Sequence, residues 1–310
     1  MKYEKIVLGS IKAAERNTIN IGYSLDKNYV RYMLVSMLSV LEKNKDTAVV
    51  FHVVTDGFLP ENLKKIDELT KSYNAKAYIY TLLEKVCFPI VSESITIGTY
   101  FRFFLPEFVK DTDRVLYLDA DVVCNGSLDQ LFALEFRDKI IAAVPDLAKM
   151  NKLRNDELGL PAQHIYFNNG VLLMNISAWQ QAKVFSKIQA AVERLGSKIR
   201  FEDQDALNSV LTGKVFYLPP AYNCIDMLSP SAAAADLLHF AAKPKPWSKW
   251  WQLNPLRTDW NKGLYQHYEK ILFNENKIVA DGSAKNITKW IIKKITYRLL
   301  KDRYQPVCNK

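Results

Sequence analysis

Arg114-Val115-Leu116-Tyr117-Leu118-Asp119-Ala120-Asp121 is the stretch on which the reading of this chain turns. A basic residue leads into four apolar residues, and two carboxylates one residue apart close the run. The apolar run predicts a buried strand. In open α/β sheets ligands gather at the carboxyl ends of strands, which is where this run delivers its acids. Two carboxylates so close repel each other unless a cation or a shared proton lies between them. The same spacing also fits a strand that runs into a solvated acidic turn.

Outward from this run, strand and helix patterns alternate. Residues 19–24 read as a first buried strand ending at Asp26-Lys27-Asn28-Tyr29, and residues 32–41 carry helical spacing. Residues 49–54 form a β-branched run closed by the turn signal Thr55-Asp56-Gly57. A helix over residues 60–73 begins with Pro60, and residues 76–80 give a third strand. Residues 99–108 read as a helix interrupted by Pro106. Residues 140–144 lead to Asp146, and residues 170–174 precede a helix through Trp179 to Leu195. The alternation predicts an α/β fold: one Rossmann-like domain with an open, largely parallel sheet and helices on both faces. Residues 1–17 read as an irregular polar extension, 18–255 as the domain, and 256–310 as a helical C-terminal appendage.

Composition excludes several classes. At 49% apolar and 24% charged, the chain is of ordinary globular make-up. No apolar run is long enough for a transmembrane helix, and residues 6–8 are too short for a signal peptide, so the cytoplasm is the expected compartment. Cys87, Cys124, Cys224 and Cys308 form no CxxC pair and no zinc spacing, so free thiols are expected. The net charge of +9 is concentrated in residues 277–310, with nine Lys/Arg against two Asp/Glu. The remainder holds 33 against 31, which argues against a nucleic-acid surface and for a local anionic partner of the tail.

Neither GxGxxG nor GxxxxGK[ST] occurs, so a bound nucleotide would need another source of positive charge for its phosphates. A divalent metal on Asp119 and Asp121 would supply it. His239, on the short apolar run Leu237-Leu238-His239-Phe240, is the candidate third ligand, and an imidazole beside two carboxylates suits Mn²⁺ better than Ca²⁺. It reads equally as a satisfied histidine at a strand edge. Lys245 is a candidate phosphate contact or a solvated lysine. Phe167-Asn168-Asn169-Gly170 is a turn or a hydroxyl-binding pair of amides. Phe201-Glu202-Asp203-Gln204-Asp205-Ala206-Leu207-Asn208, placed before a helix, is an N-capping segment or a sugar-binding edge.

Taken together, these pieces resemble the retaining glycosyltransferases of family 8, nearest to bacterial lipopolysaccharide core glucosyl- and galactosyltransferases. The resemblance is carried by Asn20-Ile21-Gly22-Tyr23-Ser24-Leu25-Asp26-Lys27-Asn28-Tyr29, Thr99-Tyr100-Phe101-Arg102, the acidic strand through Gly126, residues 166–175, Asp203-Gln204-Asp205 and residues 239–247. It implies a GT-A type nucleotide-sugar-binding fold and a metal-dependent transfer of glucose or galactose from a UDP-sugar. By this resemblance Asp119, Asp121 and His239 are the ligands of Mn²⁺, with Mg²⁺ as the alternative ion. Asp26, Asn28 and Tyr29 form the uridine site, Ala120 contacts the ribose, and Lys245 meets the diphosphate. Arg102, Asn168, Asp203 and Gln204 surround the donor hexose with Asp146 nearby. Ala242 departs from the family, which usually has a glycine there. Gln204 stands where a nucleophile would be. Since an amide is a poor nucleophile, attack of the acceptor on the face left by the diphosphate is expected.

The same resemblance points to a lipopolysaccharide core acceptor, with lipooligosaccharide, capsule or a protein glycan as alternatives, and a nucleotide-sugar-binding module as the non-enzymatic one. In the tail, Ile287, Ile291, Ile295 and Leu299 fall at i, i+4 spacing, with lysines, Arg298, Trp290 and Tyr297 around them. That pattern predicts an interfacial helix on an anionic membrane, hence a peripheral enzyme on the inner face of the cytoplasmic membrane.

Overall fold

The structure, a computed structural model, describes residues 1–12, 18–91, 96–256 and 258–299. Cys308, the end of the expected extension (13–17) and the tail beyond residue 299 lie outside the described residues. Its strands are β1 (Tyr3–Gly9), β2 (Thr18–Leu25), β3 (Ala48–Thr55), β4 (Ala75–Leu82), β5 (Arg114–Leu118), β6 (Val122–Cys124), β7 (Ile141–Pro145), β8 (Phe167–Asn175), β9 (Val215–Tyr217) and β10 (Leu237–His239). Its helices are α1 (Val30–Lys43), α2 (Pro60–Ser72), α3 (Leu105–Phe108), α4 (Asp129–Phe132), α5 (Ala148–Leu158), α6 (Ile176–Gln181), α7 (Val184–Leu195), α8 (Glu202–Val210), α9 (Asp259–Phe273) and α10 (Ala284–Leu299).

Eight strands form one sheet in the order β1-β4-β3-β2-β5-β8-β7-β9, and β6 pairs with β10 apart from it. Both faces are covered. Ile19, Ile21, Tyr23, Val49, Phe51 and Val53 pack with α1 and α2 on one side. Val115, Tyr117, Leu172 and Met174 pack with residues 100–108 and with α6, α7 and α8 on the other. A strand buried on both faces needs no polar alternation, which is why the Val115–Leu118 segment is uninterruptedly apolar. The expected α/β domain with a helical C-terminal region is therefore present.

Several local expectations are corrected. Residues 3–9 are not irregular: β1 pairs antiparallel with β4 at the sheet edge. Its Tyr3, Ile6 and Val7 are exposed, so no apolar–polar contrast marks it as a strand. The sheet is largely parallel as expected, with β8 running antiparallel to both β5 and β7 and β1 antiparallel to β4. Residues 97–104 form a 3₁₀-helix that leads into α3, and Pro106 sits in the first turn of α3, where its missing N–H has no intrahelical role. The helix expected through Trp179 to Leu195 is two helices, broken at Lys183 with φ +51°. The acidic run at 202–208 lies within α8 itself, almost wholly buried. Cys87, Cys124 and Cys224 are free thiols.

Candidate active site

The acids of the opening stretch leave β5 at its carboxyl end, on the same rim as the end of β2 and the start of β8. Because β8 is antiparallel, it brings its first residues to this rim. The Asp119 amide donates to the Gly170 carbonyl at 2.8 Å. Opposite, β10 pairs with β6 so that His239 faces Val122, which sets its ring beside Asp121. His239 Nε2 lies 3.4 Å from Asp121 Oδ1 and 3.8 Å from Asp119 Oδ2. Gly170 permits this closeness: a Cβ there would stand 2.7 Å from His239 Nδ1 and 2.9 Å from Asp119 Oδ2.

Each acid has one oxygen engaged and one facing the imidazole. Asp119 Oδ1 accepts from Arg102 Nη2 and from the Tyr117 hydroxyl, both at 2.8 Å. Asp121 Oδ2 accepts from Lys245 Nζ at 2.5 Å. Burial opposes ionisation of Asp121, but Lys245 and His239 outweigh it and hold the carboxyl well below its ordinary range. The three candidate ligand atoms lie within 4.8 Å of one another. Two carboxylate oxygens and one imidazole nitrogen, converging on one another, fit a divalent first-row metal.

Arg102 joins this cluster to a second one. Its Nε forms an ion pair with Asp203 Oδ2 at 2.7 Å, and Nη1 donates to the Asn169 carbonyl at 2.6 Å. Burial opposes its charge, yet Asp119 and Asp203 push its pKa up further. Asp203 also accepts from Asn169 Nδ2 at 2.5 Å and from the Thr99 hydroxyl at 2.9 Å. Burial raises Asp203 to about 6, against the pull of Arg102. Next to it, Gln204 Oε1 accepts from the Asn169 amide at 3.2 Å, while its Nε2 donates to Asp146 Oδ2 at 2.9 Å. Asn168 Nδ2 reaches Gln204 Oε1 and Asp146 Oδ2 at 3.3 and 3.4 Å. Burial raises the Asp146 carboxyl as well.

The remaining candidates border this core. Asp26, at the end of β2, accepts from the Asn28 amide at 2.7 Å; Asn28 itself is exposed. Gly98 lets the 3₁₀-helix touch that strand end, since a Cβ there would stand 2.6 Å from the Asp26 nitrogen. The Tyr29 hydroxyl is pushed up to about 12 by burial, with the charges of Asp121 and Asp26 adding to it. Ala120 lies half-buried between the two acids. The Ala242 side chain packs against the Ile225–Leu256 cluster, and its carbonyl accepts from Asn254 Nδ2 at 3.2 Å. The strand β8 begins at Phe167, so Asn168 and Asn169 are not a turn. They are tolerated in a buried strand because the neighbouring polar groups satisfy them. Sequence reasoning missed Thr99, Tyr117 and Asn223 as parts of this network. Asn223 carries no motif of its own; its only mark is a polar residue entering the strand-like Cys224 pairing with Leu238.

The sequence model for "Glycosyl transferase family 8" matches residues 20–251, three quarters of the chain. This chain belongs to glycosyltransferase family 8. As a family 8 member it is an enzyme, a glycosyltransferase. It is 32% identical over 256 residues to the lipopolysaccharide 1,3-galactosyltransferase of Salmonella typhimurium, covering 76% of this chain and 75% of that one. It is 28% identical over 273 residues to a lipopolysaccharide 1,2-glucosyltransferase of Escherichia coli, covering 82% and 80%. Among solved structures it is similar to the galactosyltransferase LgtC in complex with donor and acceptor sugar analogs, with a TM-score of 0.70 and 25% identity over 86% of this chain and 98% of that one. In this family 8 enzyme the matched span holds every residue named from the sequence for the metal, nucleotide and hexose sites.

Proposed function

We propose that this family 8 enzyme transfers glucose or galactose from a UDP-sugar to a lipopolysaccharide core oligosaccharide, with retention at the anomeric carbon and hence an α linkage. The single observation that carries this reading is the continuity of the Asp119-Asp121-His239 cluster, through Arg102, with the hydrogen-bonded set Asp203, Asn168, Gln204 and Asp146. The relatives named above support the hexose and the acceptor class. Asp119, Asp121 and His239 would hold Mn²⁺, with Mg²⁺ as the alternative. The ion when bound offsets the negative charge of the departing diphosphate.

The protein's own groups do the rest in this reading. Asp26, Asn28 and Tyr29 bind the uridine, Ala120 offers backbone contacts to the ribose, and Lys245 exchanges Asp121 for a phosphate oxygen. Ala242 adds a methyl group to the loop before Lys245. Arg102 orients Asp203 towards the hexose hydroxyls, and Asn168, Gln204 and Asp146 complete the hydroxyl-binding edge. No oxygen here is poised as a nucleophile. Gln204 Oε1 is a neutral amide oxygen already accepting two hydrogen bonds, and Asp203 and Asp146 each accept from several donors. The acceptor hydroxyl therefore attacks on the face the diphosphate leaves, passing its proton to that diphosphate, while Gln204 supports the cationic sugar.

The catalytic unit in this proposal is the sheet domain through residue 255, with β1 as its edge strand, and α9 and α10 follow it as the C-terminal appendage. No helix among the described residues is long and apolar enough to cross a membrane. In α10, Trp290 is buried while Ile291, Ile292 and Ile295 stay exposed among lysines. That exposed apolar face supports binding to anionic lipid on the cytoplasmic side, next to the acceptor.

The test is UDP release from UDP-glucose and from UDP-galactose with Mn²⁺, with and without a truncated-core acceptor. Turnover of one donor, stimulated by acceptor and abolished in Asp121→Asn, is expected. No turnover of either donor, or turnover indifferent to Asp121→Asn, refutes the proposal.

A further inference from the structure

We propose that Asn223 is a positioning residue that locks His239 in the tautomer with its proton on Nδ1 and ties that ring to the sugar-side amides. The inference rests on the metal reading of Asp119, Asp121 and His239. It comes from following one hydrogen-bond chain outward from the backbone, where donor and acceptor are not interchangeable.

The Gly170 backbone N–H can only donate, and it reaches Asn168 Oδ1 at 3.0 Å. That atom is therefore the oxygen of the Asn168 amide, and Asn168 Nδ2 turns towards Asp146 and Gln204. The same Asn168 Oδ1 lies 2.9 Å from Asn223, which must present its NH₂ there. The other atom of the Asn223 amide, its oxygen, then faces His239 Nδ1 at 2.9 Å. An amide oxygen only accepts, so Nδ1 carries the proton. In the neutral form of the imidazole this leaves Nε2 bare and aimed into the space between Asp119 Oδ2 and Asp121 Oδ1. All three amides and the imidazole are buried, so none of these orientations is decided by bulk water.

Two consequences follow. An imidazole whose other nitrogen is held by a hydrogen-bond acceptor is oriented and made more basic as a ligand. In addition, Asn168 has its oxygen doubly satisfied from the metal side, which leaves its NH₂ fixed on the sugar side. Asn223 thus serves both clusters through opposite ends of one amide.

The experiment uses the full chain. Long-range ¹⁵N correlation of the metal-free protein at alkaline pH is expected to show His239 protonated on Nδ1 and bare on Nε2; the opposite tautomer overturns the proposal without any mutation. Mn²⁺ affinity, read by loss of the free-ion paramagnetic resonance signal, is expected to fall roughly 10–100-fold in Asn223→Leu. Asn223→Asp keeps the acceptor for Nδ1–H but loses the donor to Asn168. It is expected to restore the affinity to within about threefold of wild type while KM for the UDP-sugar stays raised. Wild-type affinity in Asn223→Leu, or equal loss in both variants, refutes the role of Asn223. A wild-type protein that binds no Mn²⁺ refutes the metal reading instead, and the tautomer measurement still decides for or against Asn223.

Discussion

Replacing Gly170 with alanine adds one methyl group at the most crowded point of the rim. The new Cβ would stand 2.7 Å from His239 Nδ1 and 2.9 Å from Asp119 Oδ2, where ordinary contact begins at about 3.4 Å. The glycine backbone cannot retreat, because its carbonyl holds the Asp119 amide at 2.8 Å and its N–H holds Asn168 at 3.0 Å. The side chains must move instead, Asp119 by about 0.5 Å and His239 by more than 1 Å because its Cε1 stands closer to that Cβ than Nδ1 does, and both belong to the candidate metal cluster. Displacements approaching 1 Å in a catalytic constellation cost on the order of 10²-fold in rate, or about 2.7 kcal/mol. Overpacking a buried site lowers stability by about 1–3 kcal/mol. Steady-state UDP release and Mn²⁺ binding, measured on folded variant, should therefore show kcat/KM reduced roughly a hundredfold with weakened metal binding. A folded Gly170→Ala enzyme within about threefold of wild-type kcat/KM would refute the claim that this glycine sets the ligand geometry.

Three other perturbations follow from the structure. Ile291, Ile292 and Ile295 are 42%, 58% and 54% exposed, so about half of each side chain remains to be buried by a lipid surface. That is worth roughly 1 kcal/mol each, and changing all three to asparagine should weaken partition onto anionic vesicles roughly a hundredfold; unchanged sedimentation with vesicles would refute the membrane role. Burial, helped by Lys5, lowers the His52 pKa from 6.5 to about 3. Its contribution to stability is complete above pH 6.5 and is lost as pH falls towards 3, about 3 kcal/mol by pH 4. His52→Gln should flatten that slope in denaturant titrations, and a slope equal to wild type speaks against it. Asp205 accepts from Arg154 Nε and Nη2, the Tyr166 hydroxyl and the amides of Arg200 and Phe201. Asp205→Ala leaves the buried Arg154 guanidinium with Glu157 as its remaining carboxylate partner and should cost about 3 kcal/mol in urea unfolding; a midpoint close to wild type would contradict this.

The parts of the molecule legible in the sequence are those with a strong periodic signal. The runs of β2, β3 and β5 are apolar because two packed faces cover them, α2 shows amphipathic spacing, and α1 is apolar because it is buried nearly all round. The strand β1 stayed hidden because an exposed antiparallel edge has no apolar face to reveal it. The direction of β8 was not legible, since residue pattern does not distinguish parallel from antiparallel neighbours. Its polar start looked like a turn because the side chains that satisfy Asn168 and Asn169 lie far off in sequence, at Asp146, Asp203, Gln204 and Asn223. In the acidic run 202–208, two roles are interleaved. Asp203 faces Arg102 and the rim, whereas Asp205 anchors Arg154 and the entry to α8. Composition alone gives both acids the same appearance. Asn223 was missed for a related reason: its work is done through two other side chains, and no local spacing encodes it.

The pairing of β10 with β6 has a consequence for the order in which the molecule is made. Asp119 and Asp121 leave the ribosome more than a hundred residues before His239 and Lys245. Strands β1 to β5, with α1 and α2, can close their local parallel pairings early, as domains folding during synthesis tend to do from the N-terminus. The two acids then wait at the rim of a half-built sheet with Arg102 as the cation already beside Asp119. Arg102 is thus a resident counter-charge that makes the nascent rim less repulsive before the late strand arrives. A nascent chain interrupted before residue 237 would carry the acids and the guanidinium but neither His239 nor Lys245, so the cluster is assembled only once β10 has been made.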